Sequence, residues 1–152
     1  MKNPTLFYHP KKNNEIVWQK EKIYVINANY LKEKFQKSMK SKKMVFIWTP
    51  RCTSKYCYSL SYLQNFCNVE NIDLYVVAEY YDNEYMTVNY SIDKPIFAID
   101  TDYYKTNLTN SYLNKFLSEL DIKKTTKYNE NRIYYFKNND FIANINDINI
   151  LK

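Results

Sequence analysis

Two short, unbroken apolar runs place the strongest constraint on the fold of this chain. The first, at residues 44–48, reads MVFIW, and the second, at residues 74–77, reads LYVV. Unbroken runs of this length are typical of strands that are buried on both faces of a sheet. Between them, Ser54 can cap a helix that reaches to about Cys67. The sequence therefore predicts a βαβ unit with two parallel strands, at about 44–48 and 73–78.

The clearest hairpin pattern lies near the C-terminus, where apolar and aromatic residues at 132–136 and 140–145 flank Asn138 and Asn139. The chain contains no glycine, so positions that need a positive φ have to be filled by Asn or Asp, the next most tolerant residues. Two adjacent Asn residues can supply both positive φ angles of a type I′ turn. We therefore predict an antiparallel hairpin here. Further turns are predicted where Asn and Asp cluster: Asn13-Asn14, Asn71-Ile72-Asp73, Asp82-Asn83 and Asn129-Glu130-Asn131.

The other segments carry weaker patterns. A helix over about residues 29–41 would place Leu31, Phe35 and Met39 in one core stripe, with lysines on the solvated side. Thr109 is expected to cap a helix that carries several core leucines. The remaining predicted elements are strands at 15–18 and 22–26, a short helix at 83–89 and an extended piece at 95–99. Alternating strands and helices of this kind predict an α/β fold.

The length of 152 residues suits one domain. We expect a single domain at residues 15–152, preceded by a flexible segment at residues 1–14. No apolar stretch approaches the roughly 20 residues of a membrane span, so no transmembrane segment is expected. The first residues lack the apolar centre of a signal peptide. The chain is therefore expected to be cytoplasmic, or to have lost a signal peptide.

The formal charge of +6 could suggest a nucleic-acid partner, but the composition supplies another reason for it. Twenty of the 22 basic residues are lysine, glycine is absent, and Asn, Ile and Tyr abound. Residues with A/T-rich codons dominate, so a strongly AT-rich genome accounts for the lysines without any ligand. We therefore expect no nucleic-acid binding. The 17 tyrosines have the same explanation, with an aromatic surface for peptides or glycans as the alternative.

Cys52 and Cys57 are the candidate reactive residues. With Ser54 as the N-cap, Cys57 would be the third residue of the helix and Cys52 would lie just before it. The helix dipole and the neighbouring Arg51 and Lys55 favour thiolate over thiol, so both pKa values are expected below the reference near 8.5. A turn that leads into a helix can also bring two Cα atoms within the roughly 4.4–6.8 Å that a disulfide needs. The pair can therefore bridge, as a redox centre or as a structural link. The alternatives are two inert thiols and a peroxidase-like or single-thiol role.

Other catalytic groups are scarce. Cys67 shares the apolar face of its helix with two leucines, so we expect it to be a small buried hydrophobe. The only histidine, His9, stands in the N-terminal segment, which would have to fold back to reach a cysteine. Asp100 and Asp102 suit helix caps better than paired acids. We expect no metal and no cofactor, because the metal ligands are too few and a phosphate-binding glycine loop cannot form.

Three segments resemble the thioredoxin-like superfamily. FIWTPRC at 46–52 resembles the strand and the approach to the active site in thioredoxins and in TlpA-type thiol-disulfide oxidoreductases. FKNND at 136–140 resembles their final hairpin, with Asn139 where glycine is usual. PIFAID at 95–100 resembles a segment that TlpA-type and peroxiredoxin-like members insert between the two halves of the fold. The resemblance covers about residues 23–145 and implies a bacterial protein with a thioredoxin-like three-layer α/β/α sandwich, whose mixed central sheet ends in a C-terminal antiparallel hairpin.

The resemblance also implies roles for individual residues. Cys52 would be the attacking thiolate, and Cys57 would be the resolving thiol that closes the disulfide. The substrate would be a protein thiol or disulfide. Contacts with it are expected around the cysteine motif and in the loop before the hairpin, at Trp48, Pro50, Arg51, Tyr56 and Asn131.

Two departures from the family pattern leave a second function open. This chain has four residues between its cysteines, where the family has two. It also has Asn131 where the family has a cis-proline, and because a non-proline cis peptide costs about 2.5–4 kcal/mol, we expect a trans loop and an altered substrate platform. The rival hypothesis is a redox-inactive module that binds a protein partner through the motif loop, Tyr56, Tyr58 and the Asn131 loop. Many TlpA-like proteins work outside the cytoplasm, so the resemblance favours the periplasm or cell envelope.

Overall fold

A central sheet brings together segments from most of the chain. The structure is a computed structural model that describes residues 7–10, 22–52, 57–122 and 131–152. The predicted strand at 15–18, the predicted turns at 13–14 and 129–130, the helix cap at Ser54 and the substrate contact at Tyr56 lie outside these ranges. The strands are β1 (Phe7–Tyr8), β2 (Ile23–Ile26), β3 (Lys42–Trp48), β4 (Ile72–Ala78), β5 (Ile96–Ile99), β6 (Ile133–Lys137) and β7 (Asp140–Ile145). The helices are α1 (Ala28–Lys37), α2 (Leu60–Val69), α3 (Asn83–Val88), α4 (Thr101–Tyr104) and α5 (Thr109–Glu119), with a final 3₁₀ helix at Ile148–Leu151.

In the described residues, seven strands form one mixed sheet with the order β1-β2-β5-β4-β3-β6-β7. The five strands from β1 to β3 in that order are parallel, and β6 and β7 are antiparallel to their neighbours. β3 and β4 pair from Lys42 opposite Ile72 to Trp48 opposite Ala78, and α2 connects them along the chain. The predicted βαβ unit and the predicted C-terminal hairpin are both confirmed.

Helices cover both faces of this sheet. Side chains from α2 and α3 pack in one apolar core, and side chains from α1, α4 and α5 pack in the other. Met44, Phe46 and Trp48 of β3 belong to the first core, whereas Val45 and Ile47 belong to the second. Burying a side chain of this size stabilises a fold by about 1.5–3 kcal/mol, which is why β3 is apolar at every position from Met44 to Trp48. The predicted α/β fold, a three-layer sandwich with a mixed sheet, is confirmed.

Helix α2 begins later than predicted. Its N-cap is Ser59 rather than Ser54, and the Ser59 hydroxyl accepts a hydrogen bond from the Tyr62 N–H at 3.2 Å. Residues 57–59 are not helical. Leu60 is the first residue after the cysteine motif to be buried in the core, so the helix starts where its apolar face finds a partner. The prediction of a helix from Ser54 is therefore wrong for residues 57–59.

Helix α1 is shorter than predicted. It ends before Ser38, whose hydroxyl donates to Asp73 Oδ2 at 2.7 Å. Leu31 and Phe35 are buried as predicted, but Met39 is 100% exposed. The three-residue core stripe is thus a wrong prediction at its last position, because Ser38 bonds to β4 and the chain leaves the helical path there.

Asn and Asp fill most of the positive-φ positions in the described residues. Asn71, Asp121, Asn138 and Asn139 have φ of 57°, 62°, 50° and 72°. The exception is Lys105, with a φ of 56°, which ends α4. Asn138 and Asn139 are the two central residues of the turn between β6 and β7, as the type I′ prediction requires. In a chain without glycine, these residues accept the conformation at a modest steric cost.

Replacing Asn139 with glycine is expected to destabilise the protein by about 1–2 kcal/mol, although glycine suits its φ better. The reason is that Asn139 Oδ1 accepts a hydrogen bond at 2.8 Å from Nζ of Lys43, which is only 2% exposed. Burial lowers the pKa of Lys43, partly offset by Asp73. Asn138→Gly is the matched control, because the recorded bond of Asn138 is made by its backbone, which donates to Ser41 O at 2.9 Å. Chemical denaturation measures both, and equal effects of the two variants would contradict the role of the Lys43 contact.

One strand lies inside the segment that the sequence analysis describes as flexible. β1 pairs in parallel with β2 at the edge of the sheet, from Phe7 opposite Ile23. The Phe7 side chain is buried, with its ring centre 5.1 Å from that of Tyr81. This apolar contact and the strand pairing give Phe7 a defined place at the edge of the sheet.

Candidate active site

The described loops that carry the predicted site residues meet at one edge of the sheet. β3 and β4 both end there, at Trp48 and Ala78, and the antiparallel strand β6 begins there. Between these ends lies a cleft of about 790 Å³, whose lining includes Pro50, Cys52 and Cys57. The carboxyl ends of parallel strands are the usual position of ligand sites in α/β folds.

Cys52 and Cys57 form a disulfide in this cleft, with their Cα atoms 6.3 Å apart. The separation lies within the range that a disulfide needs, as the sequence analysis allowed. Both cysteines are half-buried. The backbone N–H of Cys52 donates to Thr49 O at 3.0 Å, so a tight turn carries Cys52 away from the end of β3. A half-buried disulfide in an open cleft can be approached by the thiolate of a second molecule.

Cys57 does not lie in the first turn of a helix. It is two residues before Ser59, the N-cap of α2. The field of a helix dipole falls off within the first turn, so the expected effect of the helix on this thiol loses its basis. The predicted effect of the helix dipole on Cys57 is therefore wrong, because α2 begins only at Leu60, the first residue after the motif that is buried in the core. The positive charge that the described residues place beside the cysteines comes from Arg51.

Cys67 is not part of the site. It is 1% exposed in the core under α2, and its Sγ lies 3.8 Å from Sδ of Met44. Burial raises the pKa of the Cys67 thiol to about 12, so it is protonated at neutral pH. Since the thiolate is the reactive form, Cys67 is inert, and the prediction of a buried hydrophobe is confirmed.

Arg51, which precedes Cys52, is held by three neighbours. Its Nε donates to Oδ2 of Asp82, and its guanidinium carbon lies 4.9 Å from the centre of the Tyr85 ring. Its backbone N–H donates to Tyr80 Oη at 3.2 Å. The hydrogen bond and ion pair with Asp82 raise the pKa of Arg51, which is therefore always cationic. These contacts fix the Arg51 guanidinium at the wall of the cleft that the two cysteines also line.

Asp82 ties this cation to the next helix. Its Oδ1 accepts the Tyr85 N–H at 2.9 Å, which makes Asp82 the N-cap of α3. This backbone hydrogen bond and the Arg51 guanidinium hold the pKa of Asp82 below its usual value. A carboxylate at a helix N-terminus is also favoured by the helix dipole. The loop after β3 and the loop after β4 are therefore joined through one ionised carboxylate.

Two further hydrogen bonds fix the loop that leads to Cys52. Asn89 Nδ2, at the end of α3, donates to Pro50 O at 2.8 Å. Thr49 Oγ1 donates to Glu79 Oε2 at 2.9 Å. Each bond joins the loop after β3 to the segment after β4. The backbone before Cys52 is therefore held on both sides of the buried Pro50 ring.

Glu79 also forms an ion pair at the base of the cleft. Its Oε1 lies 3.1 Å from Nη1 of Arg132, and the two side chains are 12% and 31% exposed. Arg132 directly precedes β6, and its carbonyl accepts the Ile47 N–H at 2.9 Å. Charges that are partly removed from water interact more strongly than an exposed pair. The pair therefore links the carboxyl end of β4 to the start of β6.

The other predicted contact residues have mixed positions. Trp48 lines the cleft but is only 6% exposed. Asn131 is half-buried, and its carbonyl accepts from Asn144 Nδ2 at 3.1 Å. Its neighbour Arg132 is among the described residues that line the cleft, whereas Asn131 is not. The peptide bond before Asn131 and the whole of Tyr56 fall outside the described ranges.

Tyr58, which the binding hypothesis singles out, lines the cleft beside Cys57. Its ring stacks on Tyr62, with ring centres 6.1 Å apart. Its hydroxyl accepts from the Ile148 N–H at 3.4 Å and donates to Asn146 O at 3.5 Å. Tyr58 therefore connects the start of α2 to the segment after β7, and presents an aromatic wall to the cleft.

Sequence reasoning missed the residues that hold the site together. Asp82 was recognised only as part of a turn, and Glu79, Tyr85 and Asn89 were not singled out. Two signals were available: Glu79 directly follows a buried parallel strand, and Arg132 is one of only two arginines in the chain. The first points to the carboxyl edge of the sheet, and the second marks Arg132 as unusual in a lysine-rich chain.

In the described ranges, no group of three or more His, Cys, Asp or Glu side chains is placed so that it could hold a metal ion. Nor does any described helix have the length and apolar character to cross a membrane.

The chain matches no protein-family model, no curated protein and no solved structure. A functional assignment therefore rests on the geometry of the cleft and on the resemblance of its motifs.

Proposed function

We propose that the protein is a thiol-disulfide oxidoreductase of the thioredoxin-like superfamily, with Cys52 and Cys57 as its redox pair. The observation that carries the proposal is the half-buried disulfide in an open cleft at the carboxyl edge of the sheet. A disulfide that serves only to stabilise a fold gains nothing from an adjoining cleft, whereas an exchange reaction requires access for a second sulfur atom.

The topology supports the superfamily assignment. The unit β3-α2-β4 is followed by the antiparallel pair β6 and β7 on the far side of β3. The PIFAID segment, which resembles an insertion of TlpA-type and peroxiredoxin-like members, forms β5 and lies between β2 and β4. Asp100 at its end caps α4, accepting the Asp102 N–H at 3.1 Å. All three resembling segments are thus elements of one sheet or border it.

In the proposed reaction, the reduced protein donates two electrons to a substrate disulfide. The Cys52 thiolate attacks one substrate sulfur, the substrate S–S bond breaks, and a mixed disulfide forms as the first substrate thiolate leaves. The Cys57 thiolate then attacks Cys52 Sγ, which releases the second substrate thiolate and closes the Cys52–Cys57 disulfide. The two protons of the protein thiols end on the two substrate thiols. A dithiol reductant returns the protein to its reduced form by the reverse exchange.

The contacts around Cys52 suit the role of attacking thiolate. Arg51 supplies a fixed positive charge, which favours the ionised form of an adjacent thiol. The hydrogen bonds from Asn89 and Thr49 limit the motion of the backbone that precedes Cys52. Preorganisation of this kind raises the rate of a reaction that needs three sulfur atoms in line.

Turnover tests the proposal. The substrate is a peptide that is linked through a disulfide to a second peptide and carries a fluorophore and a quencher, with dithiothreitol as the electron source. We expect the wild-type protein to accelerate reduction well above the uncatalysed rate and the Cys52→Ser/Cys57→Ser variant to give no acceleration. Equal rates for the two proteins would remove the oxidoreductase assignment and favour the redox-inactive binding module.

A further inference from the structure

The two arginines of this chain both line the cleft that holds the disulfide. Twenty of the 22 basic residues are lysine, and the exceptions are Arg51 and Arg132. One arginine precedes Cys52 and the other precedes β6, on two separate loops of the cleft. None of the described lining residues is a lysine. In a chain whose composition favours lysine so strongly, both guanidinium groups lie at one site.

Arginine and lysine differ in what they can recognise. A guanidinium group is planar and offers five N–H donors in a fixed fork that matches a carboxylate, whereas an ammonium group is a compact, strongly hydrated charge. Arg51 donates its Nε–H to Asp82, and Arg132 forms an ion pair with Glu79 through Nη1, so each group uses only part of this capacity on its counter-ion. The other nitrogens of each group are available to a ligand in the cleft.

The two ion pairs are oriented with the cation toward the cleft. Arg51 and Arg132 have side chains that are 63% and 31% exposed, whereas those of Asp82 and Glu79 are 8% and 12% exposed. No Asp or Glu is among the described residues that line the cleft. A ligand therefore meets two guanidinium groups, while their counter-ions stay behind the cleft wall.

The counter-ions also hold the cations in place. Asp82 and the Tyr85 ring fix the plane of the Arg51 guanidinium, and Glu79 anchors Arg132. Ordering a free arginine side chain on binding costs rotamer entropy, and here that ordering precedes binding. The cleft is thus prepared for an anionic group that lies within reach of the disulfide.

We infer that the cleft selects polypeptide substrates whose reactive cysteine is flanked by acidic residues. This inference rests on the proposed oxidoreductase function and names the substrate class of the same site. A carboxylate on one side of the substrate cysteine pairs with Arg51, and one on the other side pairs with Arg132. The mixed disulfide with Cys52 then forms between two charge-assisted contacts, which are stronger than neutral hydrogen bonds.

The test uses two octapeptide disulfides of matched length. In one, the cysteine is flanked on each side by two aspartates, and in the other by two asparagines. The rate constant with each is divided by its rate constant with dithiothreitol, because neighbouring acids change the reactivity of a sulfur atom by themselves. We expect an acidic-to-neutral preference of about tenfold, with a severalfold contribution from each of the two partly exposed contacts. The preference should fall as salt is raised, since the contacts are partly exposed to solvent.

Arginine variants decide whether the cleft causes the preference. Arg51→Gln and Arg132→Gln should each reduce the ratio severalfold, Arg51→Lys should reduce it less, and the double Gln variant should bring it close to one. Lys137→Gln is the matched control, because it removes an exposed positive charge at the opposite end of β6 and should leave the ratio unchanged. Thermal unfolding confirms that each variant is folded. Equal normalised rates for the two peptides, or a preference that survives in the double variant, would overturn the inference.

Failure of the proposed function can be told apart from failure of this inference. If the wild-type protein exchanges with neither peptide, binding is measured instead by fluorescence anisotropy, with the Cys52→Ser/Cys57→Ser variant and the labelled, reduced peptides. If the acidic peptide binds more tightly and the double arginine variant loses this difference, the inferred recognition of acidic peptides stands and only the proposed redox function is wrong. Equal binding of both peptides would remove the recognition surface as well.

Discussion

The Cys57→Ser variant should accumulate as a covalent adduct with its substrate, whereas the Cys52→Ser variant should form no adduct and retain no turnover. The asymmetry follows from position. Cys52 ends a loop that is tied to Glu79 and Asn89 and is next to the Arg51 cation, so it is the better placed nucleophile. Without Cys57, nothing resolves the mixed disulfide on Cys52. Mass spectrometry after acid quenching detects the adduct. Turnover of the Cys57→Ser variant should fall by at least about a hundredfold relative to the wild-type protein.

The buried thiol supplies the control for this pair of variants. Cys67 is 1% exposed and its pKa is raised to about 12. The Cys57→Ser/Cys67→Ala double variant should therefore form the adduct as readily as the Cys57→Ser single variant. An adduct on Cys57 in the Cys52→Ser variant, with turnover retained, would contradict the assignment of the nucleophile. An adduct that is lost when Cys67→Ala is added would mean that Cys67 carries it, and would contradict the assignment of the Cys52–Cys57 pair as the active site.

Replacing Glu79 with glutamine should lower the free energy of unfolding by about 1–3 kcal/mol. A glutamine amide keeps one oxygen for Thr49 Oγ1, which lies 2.9 Å from Glu79 Oε2, but it puts an NH2 group where the carboxylate Oε1 lies 3.1 Å from Arg132 Nη1. It also leaves the half-buried Arg132 without a counter-ion. Denaturant unfolding of Glu79→Gln, Arg132→Gln and the double variant measures the coupling, which we expect to be about 0.5–3 kcal/mol.

A second ion pair gives the matched comparison. Lys32 Nζ lies 2.8 Å from Asp121 Oδ2, but the Asp121 side chain is 81% exposed. Asp121→Asn keeps a residue that tolerates the positive φ at this position, and should change stability by no more than about 0.5 kcal/mol. Additive effects of Glu79→Gln and Arg132→Gln, or an Asp121→Asn effect as large as that of Glu79→Gln, would contradict the structural role given to the buried pair.

The parts of the fold that local sequence determines could be predicted. The run at 44–48 alternates between two cores, so its unbroken apolar pattern indicated a strand buried on both faces. The absence of glycine drew attention to Asn138 and Asn139, and both have the positive φ that a type I′ turn requires. Each of these features is a property of fewer than about ten neighbouring residues, which is the range over which such patterns are informative.

Where two local signals compete, the sequence could not decide. Ser54 and Ser59 both qualify as N-caps, and the burial of Leu60 against the sheet favours the second. Met39 continues the helical spacing of Leu31 and Phe35, but the hydrogen bond from Ser38 to β4 ends the helix first. In both places a tertiary contact overrides a local preference.

The cysteine pair of the candidate site could be predicted from the sequence, but the contacts around it could not. Cys52 and Cys57 follow a buried strand directly, whereas the partners of the two arginines are distant in sequence. Arg51 and Asp82 are 31 residues apart, and no periodic pattern connects them. Glu79 follows the end of β4, and Arg132 precedes the start of β6. The two residues meet because β3 pairs with β4 on one side and with β6 on the other. Such pairs follow from topology, which a single sequence specifies only indirectly.

The most direct test of the central claim is the reduction potential of the Cys52–Cys57 disulfide. The protein is equilibrated in glutathione buffers of known ratio, free thiols are trapped, and the reduced fraction is measured by mass spectrometry. The account predicts one reversible two-electron transition between about −120 and −270 mV, the range of working oxidoreductases. A disulfide that stays closed below about −300 mV would contradict it, because such a bond is structural and the cleft would then serve binding alone.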